Sequence, residues 1–168
     1  MLCGLDLMVC SLRKLQGEDV GFLVAMYQNP EIMRHICPVL STEEVERIHK
    51  TMLTQIEKKR AVYYVIEDKI TDANIGLIGM QLKSKENHVE SGAMILPVYQ
   101  QQGIFKCAHQ SLMRESIKHF TTKICVAFIH KDNKAALKSY QNIGFVRVEN
   151  KSVNKHQIKL VINMHITE

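Results

Sequence analysis

The sequence predicts one α/β (α+β) domain, and three observations lead to that prediction. The chain has 168 residues, the length of one ordinary domain. Hydrophobic residues make up 46% of it, enough for a core and too many for a disordered or collagen-like chain. Apolar residues recur at helical spacing in some segments and form β-branched runs in others. Because no repeat or linker divides the sequence, we expect residues 1–168 to form a single domain.

The first part of the chain is predicted to contain a strand, two helices and an antiparallel meander. The apolar stretch from Leu7 to Lys14 predicts the strand, and the helix after it ends at Asn29-Pro30, followed by a short turn. Ser41 and Glu44 have the spacing of a capping box, which predicts a helix over residues 42–59. Three β-branched runs joined by short polar turns then predict strands at Ala61–Glu67, Ile75–Lys83 and His88–Leu96.

The second part returns to alternating helices and strands. Pro97 ends the third strand of the meander, and helical spacing runs from Gly103 to Phe120. The compact apolar run Ile124 to Ile129 predicts a buried strand. A short helix and two further strands are predicted at Asn133–Asn142, Phe145–Glu149 and Ile158–Met164.

Cysteine spacing and hydropathy exclude several classes of protein. The five cysteines are odd in number and contain no C-x-x-C pair, which predicts reduced thiols in a cytoplasmic protein. We expect no signal peptide, because Asp6 interrupts the first apolar stretch, and no membrane association, because no apolar run approaches the roughly 18 residues of a membrane span. The eight histidines show no H-E-x-x-H spacing, and we expect no metal.

The positive charge is concentrated in the C-terminal part of the chain. The net charge of +5 divides into −2 over residues 1–96 and +7 over residues 97–168. A basic part of this kind can bind phosphate groups, although a solvated lysine surface gives the same count.

The segment from Ile95 to Ile104 is predicted to bind an anion. A buried strand passes through Pro97 into the loop Gln100-Gln101-Gln102-Gly103 and directly into a helix. Such a turn presents unpaired backbone N–H groups at the positive end of the helix dipole, and Gly103 lets a ligand approach closely. An ordinary helix start remains an alternative. Neither G-x-x-x-x-G-K-[ST] nor G-x-G-x-x-G is present, which excludes two common nucleotide motifs.

Together with a later segment, this loop resembles the GNAT family of acetyl-CoA-dependent N-acetyltransferases. The family has a Q/R-x-x-G-x-G/A pyrophosphate loop, matched by Gln100-x-x-Gly103-x-Phe105, and an N-x-x-A-x-x-x-Y-x-x-x-G-F stretch, matched from Asn133 through Tyr140 to Phe145. The opening L-R-K-L followed by N-P-E-I-M-R at residues 29–34 is similar to the RimJ/RimL branch.

The resemblance implies a mixed, mostly antiparallel sheet, flanked by helices, in which strands 4 and 5 are parallel and splayed. Acetyl-CoA, the cosubstrate, would lie between them. The expected contacts to it come from backbone and side-chain groups of Met94, Ile95, Gln100, Gln101, Gln102, Gly103, Ile104, Phe105, Lys106, Asn133 and Tyr140. Tyr140 would protonate the leaving thiolate as the amine attacks directly in a ternary complex. Phe105 departs from the family's Gly or Ala and could crowd the pyrophosphate.

The sequence offers several candidates for the general base and two kinds of acceptor. Glu90 is our candidate base, and His88, Glu67 and His130 are alternatives, because any of them could take the amine's proton. The acceptor is a primary amine, either a peptide N-terminus such as that of a ribosomal protein or a small molecule, and the more acidic N-terminal part would face it. We expect a monomer or homodimer.

The alternative is a non-catalytic module that binds a CoA, a nucleotide or an acidic partner such as RNA. Its contacts would come from five lysines, Lys118, Lys123, Lys131, Lys134 and Lys138. RNA-binding surfaces usually interleave such lysines with aromatic side chains, and only 6% of this chain is aromatic. We therefore do not expect direct binding of nucleic acid.

Overall fold

The computed structural model describes residues 9–149 and 154–164, which form a seven-stranded mixed sheet with helices on both faces. The strands are β1 (Cys10–Lys14), β2 (Ala61–Asp68), β3 (Asn74–Lys83), β4 (His88–Ile95), β5 (Ile124–His130), β6 (Val146–Val148) and β7 (Gln157–Asn163). The helices are α1 (Val20–Tyr27), α2 (Pro30–Met33), α3 (Thr42–Glu57), α4 (Ile104–His119) and α5 (Lys134–Asn142). The predicted fold class is confirmed; residues 7 and 8 of the predicted first strand lie outside the described residues.

The sheet has the strand order β1-β2-β3-β4-β5-β7-β6. Strands β1 to β4 pair antiparallel, as the predicted meander requires, and β5, β7 and β6 pair antiparallel on the other side. The two halves join through β4 and β5, which are parallel. The expectation of parallel strands 4 and 5 is confirmed.

Local sequence signals set where the helices begin and end. The Ser41 hydroxyl accepts the Glu44 N–H at 3.2 Å, and the Glu44 carboxylate accepts the Ser41 N–H at 2.7 Å, which completes the capping box. Helix α3 ends at Glu57, two residues before the predicted end, because Lys59 adopts a left-handed conformation with φ of 55°. Asn29 caps α2 by accepting the N–H groups of Glu31 and Ile32.

Two hydrophobic cores lie on opposite faces of the sheet. The larger core packs α4 and α5 against one face, which we call the α4 face, around buried residues such as Ile78, Leu112 and Leu160. The smaller core packs α1 and α3 against the other face, the α3 face, around Leu23 and Val45. Among the described residues, no helix is both long and apolar enough to cross a membrane.

Candidate active site

A gap opens between β4 and β5. β4 pairs with β3 along its whole length, from His88 to Ile95. With β5 it pairs only at Val89–Cys125 and Glu90–Val126. Beyond Glu90 the two parallel strands diverge, so one edge of residues 91–95 has no partner strand among the described residues. This gap is the predicted cosubstrate position.

The backbone groups of β4 divide between β3 and the gap. The Leu96 N–H donates to the Ile75 carbonyl at 2.9 Å. Because the hydrogen-bonding direction alternates along an antiparallel strand, the N–H and C=O groups of Met94 point toward β3 and those of Ala93 and Ile95 toward the gap. Ile95 therefore has the expected orientation. The predicted cosubstrate contacts of Met94 and Ile95 stay predictions, and the register between β3 and β4 gives Ala93, which the sequence did not single out, the same gap-facing direction as Ile95.

The loop between β4 and α4 contains a set of free backbone donors. Within the described part of the chain, no acceptor takes the N–H groups of residues 101–106, and the first bond of α4 runs from the Cys107 N–H to the Gly103 carbonyl at 3.1 Å. Gly103 has φ of 78°, and a Cβ there would meet no protein atom within 4 Å. Gln101 also has a left-handed conformation, with φ of 60°. The loop thus leaves both donors and space at the α4 N-terminus.

Two glutamine side chains hold this loop in shape. The Gln100 side-chain amide donates to the Ile95 carbonyl at 2.9 Å, and that of Gln102 donates to the Val98 carbonyl at 2.8 Å. Both amides are therefore engaged by the loop itself, while the N–H groups between them remain available. Lys106 is exposed on the first turn of α4.

Asn133 begins the second helix at the gap. Its side-chain oxygen accepts the Ala136 N–H at 3.0 Å and caps α5. The amide nitrogen of the same side chain is not used in that contact. Asn133 can therefore cap the helix and still donate to a ligand.

The ring of Phe105 turns toward the interior. Its centroid lies 4.8 Å from that of Tyr140 and 5.5 Å from that of His109. The side chain thus packs on the α4 face, and its crowding of the loop, which the sequence left open, does not occur in this structure.

Tyr140 is buried beside a pair of polar side chains. Its exposed fraction is 3%, and the Ser91 hydroxyl and His109 Nε2, 3.2 Å apart, lie next to it in the same cluster. Burial raises the pKa of Tyr140 well above its ordinary value, and the Ser91 hydroxyl offsets part of that rise. Ser91 is the first residue of β4 beyond its pairing with β5, so the phenol belongs to the closed end of the gap.

Glu90 lies on the opposite face of β4. Side chains alternate along a strand, so His88, Glu90, Gly92 and Met94 share the α3 face, where Met94 packs against the smaller core. The Glu90 carboxylate lies 3.3 Å from Lys83 Nζ and 3.6 Å from His88 Nε2. A Cβ on Gly92 would meet nothing within 4 Å. There is therefore open space beside the Glu90 carboxylate on this face.

Tyr63 extends across the sheet toward this space. Tyr63, Gly79 and Gly92 are aligned on β2, β3 and β4, and the Tyr63 ring covers Gly79 so closely that a Cβ there would collide with it. Burial raises the pKa of Tyr63, and the negative charge of Glu90 raises it further. Sequence reasoning missed Tyr63, because only the strand register shows that a glycine lies beneath its ring.

A second phenol, that of Tyr27, lies near Tyr63. Burial raises the pKa of Tyr27 to about 12, and the neighbouring Tyr63 and Cys37 add to that effect. Cys37 lines a cleft of about 510 Å³ whose wall is formed by Pro30, residues 33–39 and His130. Tyr27 is thus within electrostatic range of Cys37 and Tyr63, and Tyr63 is within electrostatic range of Glu90.

His35 and His130, which line the cleft, belong to a column of three imidazole rings. His35 stacks on His130 at a centroid distance of 5.6 Å, and His130 stacks on His156 at 6.0 Å. The column joins the segment after α2, the end of β5 and the loop before β7. Among the described residues, no group of three or more His, Cys, Asp or Glu is arranged to hold a metal ion.

The other candidate bases have different surroundings. His130 belongs to the imidazole column, and its Nδ1 lies 3.7 Å from Asp132. Glu67 accepts a hydrogen bond from Arg13 Nε at 2.7 Å, and Arg13 also binds Asp19, so the Glu67 carboxylate is part of an ion-pair network at β1. His88 is buried beside Glu90. Burial raises the pKa of the Cys125 thiol to about 12, which fits a core residue.

Comparison with known proteins identifies the family. The family model described as an acetyltransferase (GNAT) domain matches residues 10–146. Among curated proteins, no sequence match reaches significance. Three solved structures show the same fold.

The first is the spermidine N-acetyltransferase from Vibrio cholerae in complex with CoA and spermine, with a TM-score of 0.75, 21% identity and coverage of 93% of this chain and 96% of that chain. The second is RimL, the ribosomal L7/L12 α-N-protein acetyltransferase, in complex with CoA, with a TM-score of 0.78, 16% identity and coverage of 93% and 94%. The third is the ribosomal-protein-S5-alanine acetyltransferase from Vibrio fischeri, with a TM-score of 0.77, 16% identity and coverage of 95% and 96%.

At these identities the solved structures establish the fold, and the family match establishes the kind of protein. That match begins at β1 and includes the gap, the donor loop and Tyr140. The chain therefore belongs to the GNAT family of acetyltransferases, which take their acetyl group from acetyl-CoA.

Proposed function

We propose that this chain, folded as one domain over residues 1–168, transfers an acetyl group from acetyl-CoA to a primary amine by direct attack in a ternary complex. The observation that carries the proposal is the gap between β4 and β5 beside a loop whose N–H groups at residues 101–106 have no acceptor among the described residues. A doubly charged pyrophosphate meets the needs of such donors at a helix N-terminus.

The cosubstrate is held mainly by backbone groups. The N–H groups from Gln101 through Lys106 bind the pyrophosphate, and the open side of Gly103 gives it room. The gap-facing groups of Ala93 and the N–H of Ile95, whose carbonyl already accepts from Gln100, bind the pantetheine arm as a further strand would, and an N–H there polarises the thioester carbonyl. Asn133 donates to the cosubstrate through its amide nitrogen.

Two side chains handle the protons, one on each face of β4. Glu90 takes a proton from the amine, which occupies the open space over Gly92. The neutral amine nitrogen then forms its bond to the acetyl carbon while the carbon–sulfur bond breaks, and the second proton of that nitrogen is released to solvent to leave the amide. The leaving thiolate receives a proton from the Tyr140 hydroxyl. Solvent entering through the gap returns a proton to Tyr140 when the products leave.

The acceptor reaches Glu90 through the cleft beside Tyr27 and Tyr63. The solved relatives are named for a polyamine and for ribosomal-protein N-termini, so both kinds of amine are candidates. The motifs at residues 12–15 and 29–34 place the chain with the RimJ/RimL branch in our proposal. We further propose that it acts in the cytoplasm as a monomer or homodimer.

The test is a turnover assay with acetyl-CoA and a panel of polyamines, amino acids and peptides with free N-termini. We expect thiol release that depends on the amine, and a product heavier by one acetyl group in mass spectrometry. If the chain neither bound acetyl-CoA nor released thiol with any amine, that result would contradict the proposal. Salt-dependent retention on RNA in the absence of CoA binding would instead support the non-catalytic module.

A further inference from the structure

The cleft at residues 30–39 and His130 has a lining that restricts the acceptor. It lies beyond the α3 face of β5, because Cys125 and Ala127 belong to the larger core and the alternation turns Phe128 and His130 the other way. Glu90 shares that face. Val126, the register partner of Glu90, lies four residues before His130 on β5, so we take the substituents of an amine bound at Glu90 to extend along this face toward the cleft, whose volume of about 510 Å³ accommodates a ligand of a few residues.

The charge of the cleft is unsuited to a polycation. Among the described residues that line it, Arg34 carries a permanent charge and none is a carboxylate. The nearest acidic residues in sequence, Glu31 and Asp132, stay outside the lining, and the Asp132 carboxylate lies beside His130 Nδ1 at 3.7 Å. A second ammonium group entering the cleft would meet Arg34, and no carboxylate within the lining offsets that positive charge.

The remaining walls are apolar or flat. Ile36 and Val39 leave 54% and 52% of their surface exposed, and Pro38 of the same segment also lines the cleft. The lining also includes the stacked rings of His35 and His130. A ligand that covers these side chains gains about 25 cal/mol for each Å² of apolar surface removed from water.

From the lining we infer that the acceptor is the amino terminus of a peptide whose first side chain is apolar and which has an acidic side chain close behind it. The apolar side chain packs on Ile36 and Val39, and the acidic one pairs with Arg34. This inference rests on the proposed function, and it separates this chain from the polyamine enzyme that shares its fold. The opposing expectation, that the acidic N-terminal part faces a cationic acceptor, does not match this lining.

The experiment compares kcat/KM at saturating acetyl-CoA for the tripeptides Leu-Glu-Ala and Leu-Lys-Ala and for spermidine. We expect Leu-Glu-Ala to exceed Leu-Lys-Ala by about fivefold, the effect of one partly exposed charge pair, and spermidine to be the poorest of the three. Arg34→Glu should reverse the order of the two peptides. Arg47→Glu, an equal charge change on exposed α3 outside the cleft, should leave it unchanged.

Three results would overturn the inference. Spermidine as the best acceptor, or an order of the peptides that Arg34→Glu does not change, would contradict the selection by charge while leaving the acetyltransferase activity intact. No turnover of any of the three by a protein that binds acetyl-CoA would also overturn it. Failure to bind acetyl-CoA is a different result, because it contradicts the proposed function itself.

Discussion

The Ser91 hydroxyl and the His109 imidazole lie 3.2 Å apart in the interior, with Tyr140 packed against them. The contact joins the start of the gap on β4 to the middle of α4, so the position of the phenol depends on both elements. Burial lowers the pKa of His109 to about 4, which keeps the ring neutral and able to share a hydrogen with Ser91.

His109 should make the folded protein sensitive to acid. Its pKa falls from an ordinary 6.5 to about 4 on folding, so the unfolded chain binds the additional proton between those pH values. The free energy of unfolding should therefore fall by about 3 kcal/mol as the pH decreases from 6.5 to 4. Above pH 6.5 His109 is neutral in both states, and its contribution to this free energy no longer changes with pH.

Urea unfolding at a series of pH values, with wild type and His109→Gln, measures this effect. Glutamine keeps a hydrogen-bonding partner for Ser91 but does not titrate, so the variant should lose less stability over this range. Equal losses in the two proteins would show that His109 does not account for the acid sensitivity.

Tyr140→Phe should lower kcat while leaving acetyl-CoA affinity within about twofold, because the variant removes a proton donor and keeps the ring. We expect a decrease of about 10- to 100-fold in kcat. Tyr64→Phe is the matched control, since Tyr64 is also buried but lies on β2. A kcat unchanged in Tyr140→Phe, or decreased equally in the control, would remove Tyr140 from the mechanism.

Glu90→Gln should lower kcat/KM at neutral pH by about 100-fold, with recovery as the pH rises and the amine loses its proton unaided. Glu67→Gln should keep the wild-type pH profile, because the Glu67 carboxylate is bound by Arg13, although its stability should decrease. If Glu67→Gln altered the pH profile and Glu90→Gln did not, Glu67 and not Glu90 would be the general base.

The order of strands and helices could be predicted from the sequence because its signals are local. The capping box at Ser41, the break at Pro30 and the β-branched runs each act within a few residues. The predicted end of α3 is two residues too late because the helix stops at the left-handed conformation of Lys59, which nothing in the residue type requires. The donor loop was also predictable, since strand, proline, glycine and helix are adjacent in the chain.

The acceptor side of the site could not be predicted in the same way. His35, His130 and His156 meet only because α2, β5 and β7 are brought together by the sheet order. The Tyr63 ring lies over Gly79 through strand register. The inward direction of Phe105 depends on the space beside Tyr140. These contacts join residues far apart in sequence, where local patterns carry no information.

The central claim is that the gap and its loop hold acetyl-CoA, and calorimetric titration of acetyl-CoA into wild type, Gly103→Ala and Gly144→Ala tests it most directly. Both glycines have positive φ, 78° and 101°, so each substitution should cost about 1 kcal/mol of stability. Only the Gly103 variant adds a methyl group on the open side of the donor loop.

We predict one acetyl-CoA bound per chain, with the same affinity in wild type and Gly144→Ala and an affinity at least about tenfold weaker in Gly103→Ala. No heat of binding in wild type, or equal affinities in all three proteins, would contradict the account.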